Sequence, residues 1–205
     1  MSNPELSSLL KWAVESCDGA RDSNPDHPPS TRGLNAETIS ALLGGPSNAD
    51  LMKEAMMLVR SPNVSLEDKI IAFDNFEQLV ENLDNANNLE PLGLWLPLLD
   101  LLDSPEPDMR RMAAWCLGTA VQNNIKSQER LLALDGVQKL AKLAVEDDDQ
   151  AVKRKCVYAL SSSIRNYQPA TDEAVRCLPS DIVGAKTLSA EDMAAIDAIM
   201  EKLRA

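Results

Sequence analysis

AFDNFEQLVEN (Ala72 to Asn82), AAWCLGTAVQN (Ala113 to Asn123) and CVYALSSSIRN (Cys156 to Asn166) decide how this chain is read. Laid over one another they share basic residues upstream, a small or apolar middle and a terminal asparagine, at steps of 41 and 43 residues. Between them lie GLWLPLLDLLDSPEPD and DGVQKLAKLAVEDDDQ, each a Gly-initiated apolar helix running into an acidic turn. Strand-like alternation is absent and β-branched residues are thin, so the chain reads as all-α.

A period near forty with paired helices predicts an armadillo or HEAT stack, an α-solenoid in which each unit buries its apolar face only against its neighbours. Helix starts are marked by Ser47 with Asp50, Ser65 with Asp68 and Ser189 with Asp192. In each, a hydroxyl would cap the first turn and a carboxylate would meet the positive helix end. LNAETISALL stops at Gly44 and Gly45, residues that tolerate positive φ.

Four segments follow. Residues 1–17 place Leu6, Leu9, Leu10, Ala13 and Val14 at helical spacing, with Trp12 off the centre of the apolar stripe. Residues 18–33 hold three prolines and almost no apolar side chain, the composition of a flexible linker. Residues 34–180 carry the repeats, and 181–205 a linker and the capping helix SAEDMAAIDAIMEKLR. Glu5 and Lys11 interrupt the N-terminal apolar run, which is therefore not read as a secretory signal. LGLWLPLL is too short to span a bilayer. The expectation is a cytoplasmic monomer.

Charge and chemistry narrow the function. The formal charge of −12 over 205 residues repels phosphate backbones and anionic lipid, so neither nucleic acid nor a membrane surface is an expected partner. Cys17, Cys116, Cys156 and Cys177 form no CxxC pair and read as reduced thiols, two of them core filler. The single histidine, His27, lies in the proline-rich stretch where nothing could orient it. Ser8 to Lys11 matches Ser-x-x-Lys without any companion motif, and Gly44 to Ser47 lacks the lysine of a phosphate loop. Asp84 to Asn88 fails a calcium-loop pattern at Ala86 and again at Leu89. Glu146 to Asp149 reads as a solvated turn. No catalytic residue, metal or cofactor is expected.

Binding is the remaining class. On the three superposed helices, the position that holds tryptophan in peptide-binding armadillo proteins carries Asp74, Trp115 and Tyr158, and the asparagine position four residues on carries Gln78, Thr119 and Ser162. That ladder is broken. Residues four apart share a helical face, so these six, with Asn82, Asn123 and Asn166 a turn later, could form a polar binding surface. Amide-capped helix ends and core aromatics would account for them equally well. In VENLDNANNLEPLGLW, Asn82, Asn85, Asn87 and Asn88 crowd around Asp84 and Ala86, more amides than ending one helix requires. The stretch is expected to be an exposed recognition loop.

SPEPDMRRMAAWCLGTAVQNN looks like an armadillo junction followed by a third helix. LMKEAM at Leu51, KIIAFDNFEQLVENLDNANNLEPLGLW at Lys69, GTAVQNN at Gly118 and YALSSSIRNYQPA at Tyr158 resemble, in order and spacing, the fungal armadillo-type nucleotide exchange factors of heat-shock protein 70 chaperones. The resemblance covers nearly the whole chain, from SSLLKWAVES onward. It implies a right-handed superhelix that grips the nucleotide-binding domain of a cytosolic chaperone of that class and accelerates ADP release without covalent chemistry. It also implies that the N-terminal segment, with Leu6, Leu9, Leu10 and Trp12, aids substrate release, and it favours a contact role for the LDNANN string. Longer members of the family carry about one more repeat than this chain. A peptide-binding adaptor or a scaffold without exchange activity is the competing reading.

Overall fold

The computed structural model describes residues 45–184 and 187–204. The helix and linker expected over 1–33, and LNAETISALL, lie outside the described residues. Packing divides the chain into Met1–Ser47 and Asn48–Ala205, and the second unit is described by itself.

Eleven α-helices and no strand occur among the described residues: α1 (Asn48–Arg60), α2 (Leu66–Val80), α3 (Leu83–Asn88), α4 (Trp95–Asp100), α5 (Pro107–Val121), α6 (Ile125–Ala133), α7 (Gly136–Glu146), α8 (Gln150–Ile164), α9 (Gln168–Cys177), α10 (Ser180–Val183) and α11 (Met193–Arg204). A 3₁₀ turn, Leu101–Asp103, extends α4. The three superposed sequences are α2, α5 and α8, which pack side by side, with α1 against α2, the 3₁₀ turn against α5 and α7 against α8. The repeat read from the sequence is therefore the structural unit, an armadillo-type α-solenoid. Helix α11 packs on α8 and buries Ile196, Ile199, Met200 and Leu203.

Spacing explains which faces are buried. Met52, Ala55, Met56 and Val59 form the i, i+3, i+4, i+7 stripe of α1. On α2 the fully buried rings of Phe73 and Phe76 meet edge-on, 6.4 Å apart at 77°. A small residue lets α5 and α8 pack tightly. A Cβ on Gly118 would lie 2.6 Å from the Tyr158 ring and 2.9 Å from Ala159 Cα, so only glycine fits there. Cys116 and Cys156 are fully buried in the same core, as their reading as filler required.

Helix ends account for the asparagines. Asn123 and Asn166 adopt φ of 52° and 59°, the left-handed conformation that terminates α5 and α8. Asn82 differs, with φ −75°: its Oδ1 accepts the backbone N–H groups of Asp84 at 2.9 Å and Asn85 at 3.3 Å, capping α3. The carbonyls left free at the end of α8 find side-chain donors from neighbouring helices. Buried Gln128 donates to Ser162 O, Ser163 O and Arg165 O at 3.0–3.2 Å, and the Thr171 hydroxyl donates to Ile164 O at 2.7 Å.

Two expectations are corrected here. Ser65 does cap α2, accepting the Asp68 N–H at 3.1 Å and donating to its carboxylate at 2.7 Å. At α11, however, the cap is Asp192, whose Oδ1 accepts the Ala195 N–H at 3.0 Å, while Ser189 bonds only the Glu191 N–H in the preceding turn. The acidic turn Glu146 to Asp149 is not simply solvated either. Asp147 is buried in a two-pronged ion pair with Arg110 at 2.7 and 2.9 Å, because the turn into α8 folds back over the start of α5. Asp149 next to it caps α8 through Ala151 N–H and Val152 N–H.

Candidate functional site

The LDNANN stretch is helix α3, not an open loop. Asn85 and Ala86 are 5% and 3% exposed. The Asn85 side-chain amide donates to Leu79 O at 2.8 Å, and Asn87 Oδ1 accepts the Asn124 amide at 3.2 Å. The surplus of amides that marked this stretch is thus partly structural: weak helix formers are held helical by a cap and by neighbouring turns. Asp84 remains exposed, and Asn87 and Asn88 are half-buried. Ala86, Asn87 and Glu90 line a cleft of about 450 Å³ with Trp95, Lys126 and Arg130, crossed by the Arg130–Glu90 ion pair.

The ladder positions fall on neighbouring third helices but do not form one uniform surface. Asp74 and Gln78 bond to each other on α2, at 3.0 Å. Ser162 is held at the α8 terminus, where its carbonyl accepts from Gln128. Asn166 donates its backbone N–H to Ala190 O at 2.9 Å, so the segment before α11 lies against it. Asn82 is exposed and turned into the α3 cap.

Trp115, Thr119, Asn123 and Tyr158 do converge. They line a notch of about 420 Å³ with Glu77, Glu81 and Gln122, spanning α2, α5 and α8. The Thr119 hydroxyl donates to Glu77 Oε1 at 2.6 Å, and the Tyr158 hydroxyl donates to Gln122 Oε1 at 3.4 Å. Lys155 Nζ lies 3.2 Å above the centroid of the Trp115 ring and 5.7 Å from that of Tyr158, a cation held on aromatic faces.

The electrostatics of the notch centre on Glu77, which is 4% exposed. Burial pushes its carboxyl above the ordinary value, the Thr119 hydrogen bond pulls the other way, and Glu81 and Asp74 push it further up. Burial lowers the Lys155 ammonium, opposed by the nearby Glu77 carboxylate. Glu77, Glu81, Gln122 and Lys155 escaped the sequence reading, which followed only the tryptophan and asparagine ladder positions. The available signal was Glu77 and Glu81 four apart, with Glu77 three residues beyond Asp74 on the same helix.

An all-α array of armadillo-type units, with a polar and partly aromatic notch between three of its third helices, belongs to the class of helical-repeat proteins. The model described as "Nucleotide exchange factor Fes1" matches residues 6–89, and that described as "SIL1/FES1/HPBP1 C-terminal domain" matches residues 85–177. The chain is 52% identical over its whole length to the Hsp70 nucleotide exchange factor FES1 of Gibberella zeae, covering 97% of that protein. It is 50% identical to the protein of that name from Coccidioides immitis over 97% of this chain and 96% of the relative. The fes-1 protein of Neurospora crassa is 44% identical over 97% of this chain and 96% of its own length. The chain therefore belongs to the Fes1 family of nucleotide exchange factors.

Proposed function

We propose that the chain binds the nucleotide-binding domain of a cytosolic Hsp70 chaperone and accelerates ADP release, acting in the cytoplasm as a monomer and carrying out no covalent chemistry itself. The observation that carries this reading is end-to-end similarity to proteins named as Hsp70 nucleotide exchange factors, at 52% and 50% identity. The physics is linkage. To weaken ADP binding by a given factor, the protein must bind the ADP-free chaperone more tightly by the same factor, about 1.4 kcal/mol per tenfold.

The surface that would do this comprises the third-helix positions Asp74, Gln78, Trp115, Thr119, Asn123, Tyr158, Ser162 and Asn166, with Asn82 and the α3 residues Asp84 to Asn88 at one edge. Their support is placement: α2, α5 and α8 stack as neighbours, and α3 packs against α5. The N-terminal segment bearing Leu6, Leu9, Leu10 and Trp12 would act separately, on chaperone substrate release.

Co-precipitation with an Hsp70 chaperone tests the binding step. The expected result is a complex in the nucleotide-free state that dissociates when ATP is added. A complex of unchanged strength with and without ATP would instead mark a scaffold.

A further inference from the structure

We infer that the notch between α2, α5 and α8 is a receptor for one basic side chain, an arginine or lysine, presented by the chaperone; this rests on the exchange-factor reading above.

The decisive group is Glu77. It is 96% buried, yet only Oε1 is satisfied, by Thr119, and Oε2 accepts no hydrogen bond among the described residues. Oε2 is not a buried atom without a partner, so the little of Glu77 that still reaches solvent includes this oxygen, and a donor that displaces its water must replace that hydrogen bond. Glu77 lines the notch, so its free acceptor is available to a group entering there.

Charge fixes what that group can be. Glu77 feels the negative charge of Glu81 and Asp74 and, against them, the ammonium of Lys155. Arg111, the other cation whose field reaches Lys155, is engaged with Asp108 at 2.9 Å. The balance is negative, which disfavours a carboxylate or phosphate. An apolar side chain would seal Glu77 away from water with its acceptor still unmet. A guanidinium or ammonium would complete it, and exposed Glu81 on the rim supplies a second carboxylate within the same notch.

The walls fit the same ligand. Trp115 already carries a cation on one face, which shows that this aromatic environment holds positive charge. Lys155 does not itself line the notch, and about 420 Å³ is left open for an incoming chain. Gln122 and Asn123 at the end of α5 add amide oxygens as further acceptors.

The test measures the affinity of the full chain for a full-length Hsp70 chaperone at low and moderate salt, with Glu81→Gln, Glu81→Lys and Tyr158→Ala. Glu81 is exposed, so its variants are expected to fold, and circular dichroism checks that they do. The expected losses are about 3–10-fold for Glu81→Gln and more than about 30-fold for Glu81→Lys, with a shallower salt dependence in both. Alanine replacement of one basic residue on the chaperone should weaken the wild type but have little further effect on Glu81→Gln, the signature of a coupled pair. Wild-type affinity in Glu81→Lys and Tyr158→Ala, or tighter binding by Glu81→Lys, would overturn the inference while leaving exchange activity intact. A wild type that neither binds nor speeds ADP release would be a different failure, that of the exchange-factor reading itself.

Discussion

The Thr119 hydroxyl on α5 donates a 2.6 Å hydrogen bond to the Glu77 carboxylate on α2, joining two third helices across 42 residues of sequence. Thr119 stands where peptide-binding armadillo proteins place asparagine, and here the position is spent on a contact inside the array. Removing it should be costly. Thr119→Val keeps the shape but leaves Glu77 with neither oxygen satisfied, and is expected to lower stability by about 1–3 kcal/mol in chemical denaturation.

Glu77→Gln should act in the opposite direction at neutral pH. Because the folded carboxyl titrates above its ordinary value, the folded state holds the proton more tightly. Glu77 therefore makes stability fall as pH rises from the ordinary carboxylate range through its raised value. Thermal melts from about pH 4 to pH 7 should show this decline in the wild type and less of it in Glu77→Gln, which still accepts from Thr119.

Asp147 has the reverse sign. The Arg110 guanidinium holds its carboxyl below the ordinary value, so its stabilisation is present above that range and is lost as pH falls through the depressed value. Arg110→Met would strand a carboxylate whose side chain is 2% exposed. The expected loss is roughly 2–4 kcal/mol, discounted from a fully buried pair because Arg110 keeps some contact with solvent. The melt of Arg110→Met should also improve on acidification, as protonation relieves Asp147.

Gly118→Ala should damage stability and binding together. The added methyl meets the Tyr158 ring and the Ala159 backbone below 3 Å, so α5 and α8 must part. A loss of about 1–3 kcal/mol is expected by urea denaturation. Chaperone affinity should fall more than in a surface variant of equal stability, because Tyr158 is a wall of the notch.

Ala86→Arg looks from the sequence like a clean way to disrupt a contact loop, but Ala86 is 3% exposed within α3. It should lose thermal stability as well as binding. Asp84→Lys, on an exposed neighbour, is the better probe: reduced chaperone binding with an unchanged melting temperature is expected if the α3 edge makes contact.

The fold was legible because periodicity survives without knowledge of contacts. Ala113 and Cys156, and Cys116 and Ala159, fill equivalent buried positions on successive third helices, and Asn123 and Asn166 end those helices in the same left-handed turn. Ser65 with Asp68 carried its cap in four residues. What stayed hidden depends on distant partners. The LDNANN string has poor helix propensity and is helical because Asn82 caps it, Leu79 O accepts from the Asn85 amide and the Asn124 amide donates to Asn87 Oδ1. Asp147 looked like one acid in a solvated run because its partner, Arg110, is 37 residues away. Glu77 passed unnoticed in the sequence, and its meaning appears only once α5 and α8 are placed beside α2.

The release of a fluorescent ADP from an Hsp70 chaperone, chased with excess ATP in the presence and absence of this protein, tests the central claim most directly. Marked acceleration at stoichiometric amounts is the predicted result. An unchanged release rate, with circular dichroism showing the helices intact, would contradict it.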